Sequence, residues 1–265
     1  MGPADGELNS DAPRDVALSV VGVGLNPWRD AGPETRYVIE AADRVRYVLA
    51  DALSIRWLLD VRHDAESMNS SYDQVEPRTA VYELMVSQLL DLLDAGESVC
   101  LVLYGHPGVM ARPAHEAIRR ARERGYRAVM YPAPSAVDHL IADLGVDPGD
   151  DGWQSYEATR FIDRKPLFEP RASLVLWQVG ATGDESSLPR GEPPRLPELI
   201  GVLIAAYGSD HEVVIYEAAI QPLFQPRIDR VRLSDLASAD IGLMSTLYVP
   251  PKASAASSTA ASDSS

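Results

Sequence analysis

The sequence predicts an α/β protein of two domains, each a mixed or mostly parallel sheet flanked by helices. Three observations predict it. Short apolar runs alternate with segments of helical periodicity, which implies strands joined through helices. Gly and Pro close those runs, as in Tyr104-Gly105-His106-Pro107-Gly108-Val109 after the apolar stretch 99–103, so turns collect at strand ends. Asp, Gly and Pro crowd into 146–152, which reads as a boundary between two domains.

In chain order, 16–23 is a first strand, 33–50 a first helix and 53–59 a second short strand. Residues 77–95 form the clearest helix. Pro77 suits the first helical position, Gly96 the stop, and Val81, Leu84, Met85, Leu89 and Leu92 recur at helical spacing. A strand at 98–103, a helix at 114–123 and a strand at 128–131 follow. The second half carries strands at 172–179, 212–219, 226–233 and 243–249, with a helix at 197–207. The divisions are therefore 1–14, 15–146, 147–251 and 252–265. The first and last read as disordered, because the Ala/Ser/Thr tail has too little to bury. No repeat relates the halves.

Composition narrows the function. A net charge of −15 argues against nucleic acid and anionic membranes, whose phosphates demand a basic footprint. No apolar stretch approaches the roughly 20 residues of a membrane helix, and the polar start is unlike a secretory signal. The single cysteine, Cys100, lies inside an apolar run and reads as a small buried hydrophobe, so disulfides are out and a cytoplasmic protein is expected. His63, His106, His115, His139 and His211 show no metal spacing, so no metal site is expected, and His115 and His139 read as helix-surface residues. Ser135 lies outside any Gly-x-Ser-x-Gly elbow, which removes support for a serine hydrolase.

Several strand ends carry small residues and hydroxyls. Val21-Gly22-Val23-Gly24-Leu25-Asn26-Pro27 has two glycines of a dinucleotide fingerprint but lacks the third, and Pro27 stands where the helix would begin. Pro132-Ala133-Pro134-Ser135-Ala136, Trp177-Gln178-Val179-Gly180 and Ser245-Thr246-Leu247-Tyr248 occupy comparable places. Each alone is an ordinary turn or cap; together they suit a compact polar cofactor. Arg78 and Tyr82 are four apart at the start of the clearest helix and share a face, with Tyr72 in the loop before it. A guanidinium beside phenols can lower a phenol's pKa and hold negative charge on oxygen, or simply pack on the rings.

The order of these motifs resembles the tetrapyrrole methylases. Tyr-Asp-x5-Arg-x3-Tyr, Leu-Tyr-Gly-His-Pro-Gly-Val, Trp-Gln-Val-Gly and Ser-Thr-Leu-Tyr-Val-Pro-Pro together resemble the borosin peptide-backbone α-N-methyltransferases, over roughly residues 16–251. The resemblance implies a two-domain tetrapyrrole-methylase-like fold binding S-adenosyl-L-methionine in a cleft between the domains and releasing S-adenosyl-L-homocysteine. It implies that Tyr72, Arg78 and Tyr82 are the catalytic set. It places Pro27, Tyr104, Gly105, His106, Val109, Met110, Ser135, Ala136, Gln178, Tyr216, Ser245 and Thr246 around the cofactor. It also implies a homodimer, or a heterotetramer with two precursor peptides. Fused relatives carry a core peptide on a long C-terminal extension; this sequence ends in a short Ala/Ser tail, so the expected substrate is a separate ribosomal precursor peptide, as in split members.

The chemistry expected is methylation of a backbone amide nitrogen, with Tyr72 removing the proton, Arg78 holding charge, and Tyr82 donating to the carbonyl or orienting Arg78. Which tyrosine is base and which donor stays open. The rival readings are methylation of a tetrapyrrole (precorrin or uroporphyrinogen type) or another small molecule, and a non-catalytic binding module.

Overall fold

The computed structural model describes residues 16–69, 78–184, 186, 191, 193–221 and 223–253. The chain divides into two compact units, Met1–Ala136 and Val137–Ser265. In the first unit, β1 (Leu18–Gly22), α1 (Pro27–Asp30), α2 (Pro33–Ala41), β2 (Arg44–Val48), α3 (Ala52–Val61) and β3 (Glu66–Ser67) come first. Then come α4 (Arg78–Asp94), β4 (Val99–Leu103), α5 (Arg112–Glu123) and β5 (Ala128–Tyr131). The strands form one parallel sheet in the order β3-β2-β4-β1-β5.

Successive strand residues face opposite sides, and the two faces bury separate clusters. Leu18, Val20, Val99 and Leu101 pack with Val81, Met85 and Leu89 of α4 and Ala117 and Ile118 of α5. Val21, Cys100 and Val102 pack with Val38 and Ile39 of α2 and Trp57 and Leu58 of α3. Fully burying a Val, Leu, Ile or Met side chain of these clusters is worth about 1.5–3 kcal/mol relative to exposure. Cys100 is fully buried, as its sequence context implies, and burial pushes its thiol far above the usual range.

Two early expectations fail. The first helix ends at Ala41, and the 44–48 segment expected to continue it is a strand, pinned beside β4 where the Asp43 N–H donates to Ser98 Oγ (2.9 Å) and the Ser98 N–H to Asp43 Oδ2 (2.8 Å). Its arginines alternate with buried Val45 and Tyr47, a two-residue period masked by charge. The strand expected at 53–59 is helix α3, capped by Asp51 Oδ1 accepting from the Ser54 N–H at 2.8 Å. The expected helix 77–95 appears as α4, with its end closed by Gly96 N–H to the Leu93 carbonyl (2.9 Å); Pro77 lies outside the described residues.

The second unit holds α6 (Ala136–Leu144, beginning at the boundary), α7 (Pro148–Asp151), β6 (Trp153–Glu157), α8 (Ala158–Arg164), β7 (Ser173–Trp177), α9 (Leu196–Tyr207), β8 (Glu212–Glu217), β9 (Arg227–Arg232) and β10 (Thr246–Val249). Its sheet runs β6-β7-β10-β8-β9; β6 and β7 are parallel and the other pairs antiparallel. Leu199, Ile200 and Leu203 of α9 pack on Leu174, Leu176, Ile215 and Leu247. β6 and α8 went unread in the sequence. The division falls before α6 rather than after it, at 146/147, because α6 belongs with the second sheet: Asp143 on α6 accepts from the Tyr216 hydroxyl of β8 at 2.7 Å. Of the termini expected to be disordered, only Lys252 and Ala253 fall within the described residues, and Lys252 is tied by its N–H to the Pro170 carbonyl at 2.8 Å.

Candidate functional site

Because β4, β1 and β5 are adjacent and parallel, the loops leaving their C-terminal ends meet at one edge. Gly22 is where they converge. A Cβ there would stand 2.4 Å from the Gly105 carbonyl oxygen, 2.6 Å from Pro107 Cδ and 2.8 Å from Ala133 Cβ. The Gly105 N–H donates to the Gly24 carbonyl at 2.7 Å, locking the Val-Gly-Val-Gly loop to the Tyr-Gly-His-Pro-Gly-Val loop. Pro27 opens α1 and is buried, with Asn26 capping the helix. Asp30, unread in the sequence, accepts from the N–H groups of Leu25 and Asn26, each at 3.0 Å, and fixes the loop's path.

Two histidines shape the hexapeptide turn. The Gly108 N–H donates to His106 Nδ1 at 3.0 Å, so Nδ1 serves as an acceptor in the turn. His115, read from sequence as a simple surface residue, has Nε2 2.8 Å from the Gly108 carbonyl oxygen, which only accepts, so Nε2 donates. Met110 follows with φ of 54°, a left-handed backbone rare for a non-glycine residue. Val109 and Met110 are exposed apolar side chains and Tyr104 is half exposed, while Ser135 is buried and Ala136 half-buried beyond β5.

Arg78 and Tyr82 sit one turn apart at the start of α4, with Arg78 hydrogen-bonded to the Tyr82 hydroxyl. Burial pushes the Tyr82 phenol above the usual tyrosine range, against the pull of the Arg78 and Arg112 guanidinium groups; the nearby Tyr104 adds to the rise. Desolvation raises the Tyr104 phenol as well. Both hydroxyls are therefore neutral donors at ordinary pH. Tyr72 lies outside the described residues. Arg112 is a further residue that sequence reasoning passed over; its only signal was a position just beyond the hexapeptide.

In the second unit, the C-terminal ends of β7 and β8 and the start of β10 share one edge, which gathers Gln178, Tyr216, Ser245 and Thr246. Gln178 has φ of 56°, a second left-handed non-glycine residue among the candidates. Gly180 is pressed against the 242–245 turn: a Cβ there would lie 2.1 Å from the Gly242 carbonyl oxygen. The Gly242 N–H donates to Ser245 Oγ (2.9 Å), and Ser245 donates to Glu217 Oε1 (2.6 Å), which also receives Arg227 Nη1 at 3.0 Å. Tyr216 is fully buried. Glu217 and Asp143 were unread because each acts through a partner distant in sequence.

In each unit taken by itself, donors, acceptors and close backbone approaches of the kind a compact, polar cofactor needs collect at one sheet edge. The described residues contain no group of His, Cys, Asp and Glu able to hold a metal ion, and no described helix is long and apolar enough to cross a membrane.

The chain is 39% identical over 245 residues to a methyltransferase/ribosomally synthesized type III borosin cyclic peptide precursor from Anomoporia bombycina, covering 91% of this chain and 28% of that protein. It is 37% identical over 251 residues to a type I borosin precursor from Coprinopsis marcescibilis, covering 92% and 64%. With the omphalotin A precursor from Omphalotus olearius it shares 34% over 246 residues, covering 91% and 59%. It thus spans less than two thirds of the length of these relatives. A cobalt precorrin-4 methyltransferase superposes with a TM-score of 0.63 at 18% identity, covering 88% of this chain and 94% of that one. Uroporphyrin-III-C-methyltransferase from Thermus thermophilus superposes with a TM-score of 0.61 at 19% identity, covering 88% and 91%. These establish the fold. The model of the tetrapyrrole (corrin/porphyrin) methylases matches residues 17–236, and the chain belongs to that family.

Proposed function

We propose that this protein is an S-adenosyl-L-methionine-dependent methyltransferase that methylates backbone amide nitrogens of a ribosomal precursor peptide. The observation that carries the reading is the Arg78–Tyr82 pair on α4, with Tyr82 held as a neutral phenol beside a fixed guanidinium. The similarity to borosin methyltransferase precursors supports it.

A peptide nitrogen is a weak nucleophile because its lone pair is delocalised into the carbonyl. The protein must position it, accept its proton and stabilise charge on the carbonyl oxygen. When bound, S-adenosyl-L-methionine supplies an electrophilic methyl on its sulfonium and leaves as S-adenosyl-L-homocysteine. Tyr82, protonated beyond the ordinary range, donates a hydrogen bond to the substrate carbonyl oxygen, where negative charge grows as the N–H proton leaves. Arg78 orients the Tyr82 hydroxyl and supplies the countercharge. That assignment leaves proton removal to Tyr72. The residues proposed to hold the cofactor are Pro27, Tyr104, Gly105, His106, Val109, Met110, Ser135 and Ala136 in the first unit and Gln178, Tyr216, Ser245 and Thr246 in the second. A peptide offered as a separate chain, a homodimer and a cytoplasmic location complete the reading.

The test is mass spectrometry of candidate peptides incubated with the protein and methyl donor, using Arg78→Ala and Tyr72→Phe alongside the wild type. Loss of methyl transfer with donor binding intact by calorimetry supports the assignment; unchanged transfer in both variants sinks it. Sedimentation equilibrium checks the dimer.

A further inference from the structure

Between α4 and α5 lies a cavity of about 180 Å³, whose lining includes Tyr82, Glu83, Val86, Arg112, Pro113 and Glu116. Its volume suits one amino-acid side chain. Its charges are unevenly committed. Glu116 is held by Arg119 and Arg120, which keep its carboxyl at about 2, and Arg120 also bridges across to Glu83 at 2.8 Å. The Arg112 side chain makes no hydrogen bond or ion pair with any described residue and acts only electrostatically, on the Tyr82 phenol. Both acids are thus already neutralised from outside the cavity, and one exposed guanidinium is left over at its wall.

We propose that this cavity is a subsite for one acidic side chain of the peptide substrate, selected by Arg112. The proposal rests on the peptide-methylating reading above and names a feature of that substrate. Arg presents a planar fork that receives a carboxylate through two parallel hydrogen bonds. Val86 and Pro113 supply apolar wall for the methylene stem of a Glu side chain. A net charge of −15 on the whole chain repels acidic peptides in general, so acceptance of a carboxylate here depends on this local cation. A side chain in the subsite lies next to Tyr82 and brings a neighbouring backbone amide toward it.

The experiment measures binding and transfer separately, on the full chain. Fluorescein-labelled Val/Ala dodecapeptides with one central Glu, Gln or Lys are titrated by anisotropy without methyl donor, then incubated with donor and weighed. The Glu peptide is expected to bind about tenfold more tightly than the Gln peptide. That preference should vanish in Arg112→Gln and turn toward the Lys peptide in Arg112→Glu, with far-UV circular dichroism showing both variants folded. Equal binding of Glu and Gln peptides by wild type, or an undiminished Glu preference in Arg112→Gln, overturns the subsite. Methyl transfer without Glu preference also overturns the subsite and leaves the methyltransferase reading standing. Arg112-dependent Glu preference with no transfer to any peptide supports the subsite as a binding site and counts against the methyl-transfer reading alone.

Discussion

Gly22 and Gly105 are in contact through their backbones, so closely that a Cβ on Gly22 would lie 2.4 Å from the Gly105 oxygen. Neither loop can yield freely, since Gly105 is also hydrogen-bonded to Gly24 and flanked by Pro107. Gly22→Ala should therefore separate the Val-Gly-Val-Gly loop from the Tyr-Gly-His-Pro-Gly-Val loop, costing about 1–3 kcal/mol as an overpacked site does. Calorimetric melting and donor titration should show a lower Tm together with weaker S-adenosyl-L-methionine binding. Gly180→Ala, facing the Gly242 oxygen in the other unit, should do the same.

Tyr82→Phe removes the proposed hydrogen bond to the carbonyl and leaves the ring. Loss of one such donor lowers kcat by about 10²–10³. The wild-type rate should also carry an alkaline limb. Because burial raises the Tyr82 pKa, its proton is retained past the ordinary tyrosine value of about 10, and activity should fall only above that value. The residual activity of Tyr82→Phe should lack this limb. A limb unchanged in the variant would assign the ionisation to another group.

His106 serves as an acceptor for the Gly108 N–H, a role an amide oxygen can fill. His106→Asn should keep most of the donor affinity, whereas His106→Leu leaves the N–H unpaired and should weaken binding by roughly tenfold. Isothermal titration calorimetry of the two variants separates this role from ring packing, which would make both equally weak.

Glu116 pairs with Arg119 and Arg120 along α5, and Arg120 also reaches Glu83 of α4. The Glu116 carboxyl is held at about 2, below the ordinary 4.5, by hydrogen bonds from Arg119 and then Arg120. A depressed carboxylate stabilises the fold above its ordinary pKa and loses that contribution as pH falls toward the lowered one. Relative to Glu116→Gln, the wild type should keep a constant Tm advantage down to about pH 4.5 and lose it progressively toward pH 2. An advantage independent of pH over that window would show that the Arg119 and Arg120 contacts do not couple to folding.

The sequence made the strand-end turns legible because Gly and Pro punctuate apolar runs, and those turns do line the sheet edges in each unit. It made α4 legible because apolar residues recur at helical spacing from Val81 to Leu92, between a Pro start and a Gly stop, which leaves little ambiguity. It misread 44–48, where alternate arginines hid a half-buried strand, and 53–59, where a Leu-rich run fits helix and strand equally until Asp51 is recognised as a cap. Asp143 and Glu217 were out of reach for a common reason. Each matters through what it touches, and Asp143 meets Tyr216 and Glu217 meets Ser245 only after the chain has folded. Tyr72, the proposed base, lies outside the described residues, so its assignment rests on sequence alone.

The most direct measurement of the central claim is tandem mass spectrometry of a Glu-containing Val/Ala dodecapeptide after incubation with the protein and methyl-labelled S-adenosyl-L-methionine, beside a uroporphyrinogen under the same conditions. The account expects labelled methyl on backbone nitrogens of the peptide, abolished by Arg78→Ala, and none on the porphyrinoid. Label on the porphyrinoid with an unmodified peptide would contradict it.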